Sequence, residues 1–168
     1  EKGADINEAN YYNQTALYLA CFDENNLEMV KLLIENGADV NKANASNQTP
    51  LYLALNSNYS EIVKLLIKNG ADINKTYKNN KTLLILACQN NNLEMVKLLI
   101  ENGADINKAD EDDNNPLHLA CKNENPEIVK LLIENGADIG EKDYEEVAWL
   151  LKTNDANINK ANKDGKTL

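Results

Sequence analysis

Aromatic residues make up only 5 % of this 168-residue chain, which has one histidine, one tryptophan, one phenylalanine and three cysteines. Unbroken apolar runs are short, such as "LLILAC", Leu83 to Cys88, far below the roughly 20 residues needed to cross a membrane as a helix. Positive charge is short as well. A net charge of −10 excludes a surface built for a phosphate backbone, which requires clustered basic residues, and an anionic membrane surface for the same reason. No Cys-x-x-Cys and no G-x-G-x-x-G occurs, and the Gly165-Lys166-Thr167 near the end has Lys160 where the phosphate loop G-x-x-x-x-G-K-S/T opens on Gly, so zinc ribbons, dinucleotide cradles and phosphate loops are absent as motifs. An initiator Met is missing too: the chain opens "EKGAD" and stops at "KDGKTL", so both ends are expected to be cuts in something longer.

Asparagine is plentiful, at about one residue in six. This reads as the compositional drift of an AT-rich genome and not as chemistry. Repetition is the stronger signal. "EMVKLLIENGADVNKAN" at 28–44 returns as "EMVKLLIENGADINKAD" at 94–110, and Gly37, Gly70, Gly103 and Gly136 of "NGAD" stand 33 residues apart. An earlier Gly3-Ala4-Asp5 lies 34 residues before Gly37. A fixed period of this length signals a stacked-repeat solenoid. Within each unit the apolar residues have helical spacing: short helices at "TALYLAC", "TPLYLAL", "TLLILAC" and "NPLHLAC", longer ones at "LEMVKLLIEN" and its copies. Thr49 before Pro50 fits an N-cap and first helical residue, and Asn-Gly at each long helix end fits a left-handed stop.

The unit resembles the ankyrin repeat, whose pattern D-x-x-G-x-T-P-L-H-x-A-A leads through a helix to L-L-x-x-G-A-D. The matching residues are Thr49-Pro50-Leu51, Asn115-Pro116-Leu117-His118-Leu119-Ala120 and every Gly-Ala-Asp. The resemblance implies an all-α solenoid of stacked antiparallel helix pairs with protruding β-hairpin-like loops. It divides the chain into full repeats at 10–43, 44–76, 77–109 and 110–142, with a partial repeat at 1–9, a truncated one at 143–161 and the start of another at 162–168. The family's hairpin glycine is replaced by Asn13, Asn47, Asn80 and Asp113, returning only at Gly165; Asn and Asp tolerate positive φ best after Gly. The glycine that closes the first helix is replaced by Asn25, Asn58, Asn91 and Glu124, the last with strain. One extra residue in "CFDENNLEM" should bulge the first inter-helix loop. After Gly136 about fourteen residues are skipped. Tyr144 to Thr153 should still be a helix with Val147, Leu150 and Leu151 inward, ending at Asp155-Ala156-Asn157 in place of Gly-Ala-Asp, as a cap or a kink.

Candidate chemistry is thin. His118 falls on the family's "TPLH" histidine, whose ring steadies the turn by bonding neighbouring loop backbone; a general base would need a matched partner set. Cys21, Cys88 and Cys121 occupy one small-residue place in three units, too far apart for a disulfide if helices pack about 8–10 Å apart. They read as reduced, buried fillers. "DEDDNNP", from Asp110, has acids at positions one, three and four of a calcium loop but Asn115 at six and Cys121 at twelve, so it reads as a solvated acidic tip. No catalytic residue, cofactor site or metal site is expected.

What remains is binding. Repeat solenoids offer an extended concave face, and in the family the hairpin tips and the exposed side of the first helix form it. Carried over, the tips are Tyr11, Tyr12 and Gln14, then Ala45, Ser46 and Gln48, then Lys78, Asn79 and Lys81, then Glu111, Asp112 and Asn114. The first-helix places are Phe22 and Asp23, Asn56 and Ser57, Gln89 and Asn90, Lys122 and Asn123. That face has an aromatic end, a small polar middle, a basic finger and an acidic finger. Tyr11, Tyr12 and Phe22 have the composition of a binding hot spot. The expectation is a non-enzymatic, intracellular (cytoplasmic) module that binds a partner protein, no nucleic acid and no membrane, as a monomer or with weak end-to-end association. The alternatives are a regulatory or targeting segment of a larger multidomain protein, and a self-associating spacer.

Overall fold

The computed structural model describes residues 3–140 and 143–163, with side chains to Thr153. Four helix pairs follow one another: α1 (Ala16–Ala20) with α2 (Leu27–Glu35), α3 (Pro50–Asn56) with α4 (Ser60–Lys68), α5 (Leu83–Gln89) with α6 (Leu93–Glu101), and α7 (Pro116–Lys122) with α8 (Pro126–Glu134). A single longer helix, α9 (Tyr144–Lys163), closes the series. Successive short helices pack on one another, α1 on α3, α3 on α5, α5 on α7 and α7 on α9, while α2 lies against α4 and α6 against α8. This is the stacked all-α solenoid the period predicts.

Local chemistry explains each boundary. The short helices start at Thr15, Thr49, Thr82 and Asn115, whose side-chain oxygens accept from the amides of Tyr18, Tyr52, Ile85 and His118, satisfying donors that the first turn leaves open. Pro50 and Pro116 take the first helical position, where no amide hydrogen is needed. Each long helix stops at its glycine: Gly37, Gly70, Gly103 and Gly136 have φ of 83–92°. There the glycine N–H and the following alanine N–H donate to the last-turn carbonyls, as Gly37 to Ile34 (3.0 Å) and Ala38 to Leu33 (3.0 Å), the paired bonds of a Schellman stop. Asn13, Asn47, Asn80 and Asp113 sit at φ 56–61°, as do Asn58 and Asn91, and Glu124 is forced to 52°.

Asn25 departs from the expectation. The extra residue in that loop lets Glu24–Asn26 coil as a 3₁₀ turn capped by Asp23, so the left-handed residue is not required. The last unit departs further: α9 runs unbroken through Asp155-Ala156-Asn157. The other long helices stop on Asn-Gly, whereas here Asn154 is followed by Asp155, and no glycine supplies a left-handed stop. Val147 and Leu150 are buried and Leu151 partly so. α9 takes up Asn162 and Lys163 of the further repeat expected at 162–168, and the rest of it, Gly165 included, lies outside the described residues.

Asparagine proves to be structural, which corrects its reading as drift. Asn7, Asn41, Asn74 and Asn107 each staple one unit to the next. The Asn41 amide donates to the Gly70 carbonyl (3.0 Å) while its oxygen accepts from Asp72 N–H (2.8 Å), and Asn7, Asn74 and Asn107 repeat the pair. A second row, Asn13, Asn47 and Asn80, donates to Ala43, Thr76 and Ala109 carbonyls. Asn92 and Asn125 cap α6 and α8 and reach back to Asn58 and Asn91. An amide carries donor and acceptor on one short arm, which is what stapling a carbonyl and an N–H together requires.

The core is made by the stacking. α2 and α6 share the sequence LEMVKLLIE, yet Met95 is fully buried and Met29 is 50 % exposed. The difference comes from what surrounds the two identical helices and not from their own residues.

Candidate interaction surface

The loops between units form four fingers: 10–15, 44–49, 77–82 and 110–115. In three of them the first residue holds the finger together. Asn10 Oδ1 accepts the amides of Tyr12 and Gln14 (both 3.0 Å), Asn44 Oδ1 those of Ser46 and Gln48 (both 2.9 Å), and Asp110 Oδ1 those of Asp112 (3.0 Å) and Asn114 (2.9 Å). Each finger base is closed by one backbone bond, from the first residue's N–H to the fifth residue's carbonyl, as Asn10 to Gln14 and Asp110 to Asn114. The fingers are also tied sideways: Ala45 N–H donates to Tyr12 O (2.9 Å) and Glu111 N–H to Asn79 O (3.1 Å).

These bonds set which candidate side chains face outward. Tyr11 is 96 % exposed and stands edge-on to Tyr12 at 5.5 Å, itself exposed. Phe22 is half-exposed, its ring edge-on to buried Tyr18 at 5.6 Å and its carbonyl accepting from the Tyr59 hydroxyl. Ser46, Asn56, Lys78, Gln89, Glu111, Asp112 and Lys122 are exposed. Asp23 is exposed too, although its carboxylate is engaged in capping the 3₁₀ turn. Gln14 is bonded to Asn10, and Gln48 to Tyr18 and Asn44, so both amides belong to the scaffold. Lys81 Nζ donates to Gln89 Oε1 at 3.0 Å.

The electrostatics of the surface follow from these contacts. Burial works against the charged form of Asp110, but the amide bonds from Asn114 and Asp112 and the nearby charge of Lys81 outweigh it and hold the carboxyl below its usual range. Burial pushes the Tyr77 phenol up to about 12 despite its bond to Thr49. The thiols of Cys21, Cys88 and Cys121 are likewise pushed up to about 12 by burial, helped at Cys121 by the charges of Asp143 and Glu146. At neutral pH these are inert apolar fillers and not nucleophiles.

His118 is corrected in its partner. Its Nδ1–H donates to Asp143 Oδ1 at 2.7 Å, not to loop backbone. Asp143 occupies the place of Asn44, Tyr77 and Asp110 in the next unit, but α9 begins at the following residue. With no finger amides to hold, its carboxylate meets the imidazole, and the buried Oδ2 has no partner among the described residues. The thiol nearest this pair by its electrostatics, Cys121, is buried and pushed up to about 12, and no group of His, Cys, Asp and Glu among the described residues could hold a metal ion. None of the described helices is long and apolar enough to cross a membrane.

One feature of the surface escapes motif matching. Tyr77 stands where the other fingers begin with Asn or Asp. Its ring packs on Tyr52 with centroids 4.6 Å apart and its hydroxyl bonds Thr49 (2.9 Å). Aligning the units by their period, without reference to any family pattern, would have exposed the substitution.

Stacked helix pairs joined by finger loops define a repeat solenoid whose varied side chains lie at the loop tips. The sequence profile described as ankyrin repeats (3 copies) matches residues 2–77 and 73–143, and the chain belongs to the ankyrin-repeat family, whose members generally serve as protein-protein interaction modules. Comparison with curated proteins gave no significant match.

Proposed function

We propose that this array is a non-enzymatic scaffold that binds a partner protein through its concave face and finger tips. The supporting observation is the lateral stitching of the fingers, Ala45 to Tyr12 and Glu111 to Asn79. It fixes the tips before any partner arrives, so little ordering entropy opposes association. Tyr11, Tyr12 and Phe22 are the proposed anchors: large rings held at the surface, as hot spots require. The reading extends to an intracellular, cytoplasmic setting, supported by three buried, unpaired thiols, and it holds equally for a regulatory or targeting segment within a larger protein. Replacing Tyr11, Tyr12 and Phe22 together by alanine should abolish partner recovery in a pull-down from the native cell; unchanged recovery rejects the anchors.

A second reading, self-association of the stack, rests on Met29 and Leu32, half-exposed apolar side chains of α2. Light scattering that shows a mass rising with concentration supports it, and a constant monomer mass removes it.

A further inference from the structure

The finger that breaks the internal rule also makes a recess. Because Tyr77 cannot act as the turn-holding Asn or Asp, finger 77–82 closes on its own tip, with Asn79 and Asn80 both left-handed (φ 60° and 56°). The displaced ring turns inward and joins Tyr52. Together with Leu86 these rings line a cavity of about 290 Å³, whose remaining lining is Lys78, Asn79 and Lys81. An aromatic floor and a lysine rim suit an apolar side chain with a carboxylate beside it. The Lys81 ammonium donates to a neutral amide, Gln89 Oε1, and its charge reaches Asp110 without a direct bond, so a carboxylate in contact with it would be a stronger acceptor than the amide.

The next finger limits what can extend beyond the recess. Asp110, Glu111, Asp112 and Asp113 follow one another there, and the Glu111–Asn79 backbone bond holds this acidic tip against the basic one. A long polyanion would gain at two lysines and be repelled at four acids, on a chain of net charge −10, which excludes nucleic acid. A segment of alternating character fits instead. Resting on the protein-binding reading above, we propose that fingers 77–82 and 110–115 together bind a short peptide segment of the partner. That segment places an aromatic or leucine side chain in the Tyr52–Tyr77 recess, an adjacent Asp or Glu at Lys78 and Lys81, and a Lys or Arg against the acidic finger.

The test pans a random-peptide library on the whole 168-residue chain, synthesises the selected consensus with a fluorescent label and titrates it by anisotropy. The expected consensus joins an apolar residue to a neighbouring acid with a basic residue further along. Lys78→Glu with Lys81→Glu should weaken its binding about tenfold or more. Lys97→Glu with Lys130→Glu on the second helices changes net charge equally and should alter binding less than about twofold. Circular dichroism of both double variants checks that the helices persist. A consensus lacking the acid, or equal losses in the two variants, overturns the finger site and leaves the protein-binding reading standing. Selection of no peptide at all overturns both.

Discussion

The duplicated nonapeptide LEMVKLLIE allows one physical claim to be tested with its own internal control. Met29 and Met95 share all the other residues of their helices, two before and six after, from Leu27 to Glu35 and from Leu93 to Glu101. Helix propensity and the side-chain entropy of the unfolded state are therefore matched. The differences lie outside the nonapeptide: the packing against each helix, with Met95 0 % and Met29 50 % exposed, and an Asn92 cap on the Met95 amide that α2 lacks, which an alanine at either Met leaves in place. Met95→Ala should cost about 2–4 kcal/mol, from lost transfer free energy and the void left in a close-packed interior. Met29→Ala removes a side chain already half in water and puts a better helix former in its place, so its cost should stay below about 1 kcal/mol. Followed by far-ultraviolet circular dichroism, the first variant should melt at least roughly 4–8 °C below the parent and the second within about 2–4 °C of it. Urea titration of both variants at two protein concentrations completes the assay. Equal losses would refute the argument that burial in this array comes from the neighbour. A Met29 effect that grows with protein concentration would instead identify that face as a self-association surface.

Three further outcomes follow from the geometry. Asn74→Ala removes the bonds to Gly103 O (3.1 Å) and from Asp105 N–H (2.8 Å) and should cost about 1–2 kcal/mol in urea unfolding; a loss below about 0.3 kcal/mol would remove the asparagine staple as a stabilising device. Glu124→Gly relieves a non-glycine residue at φ 52° and should raise the melting midpoint by about 2–4 °C, whereas a lower midpoint would show that the Glu side chain contributes more than its backbone strain costs. Cys21, Cys88 and Cys121 have thiols pushed from 9.0 up to about 12 in the folded chain. The folded state therefore favours the neutral thiol: this stability is whole below the unfolded thiol's pKa and is lost as pH climbs from about 9 toward 12. Alkaline melting should show that decline and a Cys21→Ala, Cys88→Ala, Cys121→Ala chain should show less of it; folded protein at pH 8 should resist thiol reagents until urea opens it.

Much of this fold is written in residues whose requirements are local. A helix needs its cap, its apolar stripe and its stop within a dozen residues, so Thr49-Pro50, the spacing of Met95, Leu98 and Leu99, and Asn69-Gly70 suffice to place α3, α6 and the end of α4. The left-handed Asn47 and Asp113 follow from the residue types that tolerate positive φ. What could not be read depends on the offset between units. Asn41 bonds Gly70 and Asp72, about thirty residues on, and in the sequence it looks like any other asparagine in a polar loop. The family resemblance supplies His118 with a backbone partner; the unit boundary at 143 is legible, but not that the missing first helix brings the Asp143 carboxylate onto the imidazole. α9 outran its expected end because the helix ends where a glycine permits reversal, and the matching apolar pattern does not report that the glycine is gone. The candidate surface divides likewise. Exposure of Tyr11 and Lys78 follows from lying at finger tips, but Gln14 and Gln48 are drawn into the scaffold by Asn10, Asn44 and Tyr18, partners that only the folded finger assembles.

Comparing equivalent places across the stack also separates structural substitutions from those left over for recognition. Where a substitution is structural, a second contact compensates it. Tyr77 gives up the turn-holding oxygen and gains the Tyr52 ring and the Thr49 hydroxyl. Asp143 loses its finger and gains His118, at the cost of one buried oxygen without a partner. Lys78, Glu111 and Asp112 differ from Tyr11, Ala45 and Ser46 in the matching places, yet all lie exposed on fingers closed by backbone bonds, with Asx bonds added in every finger but 77–82. Nothing in the stability of the stack asks for a base at one tip and acids at the next, since exposed charges contribute little to folding. The same charges act at full effect on a molecule that lies across both tips, where they set its orientation and rate of approach. The proposed peptide site would give these substitutions a role in association, with Lys78 at the rim of the Tyr52–Tyr77 recess and the acids on the next finger.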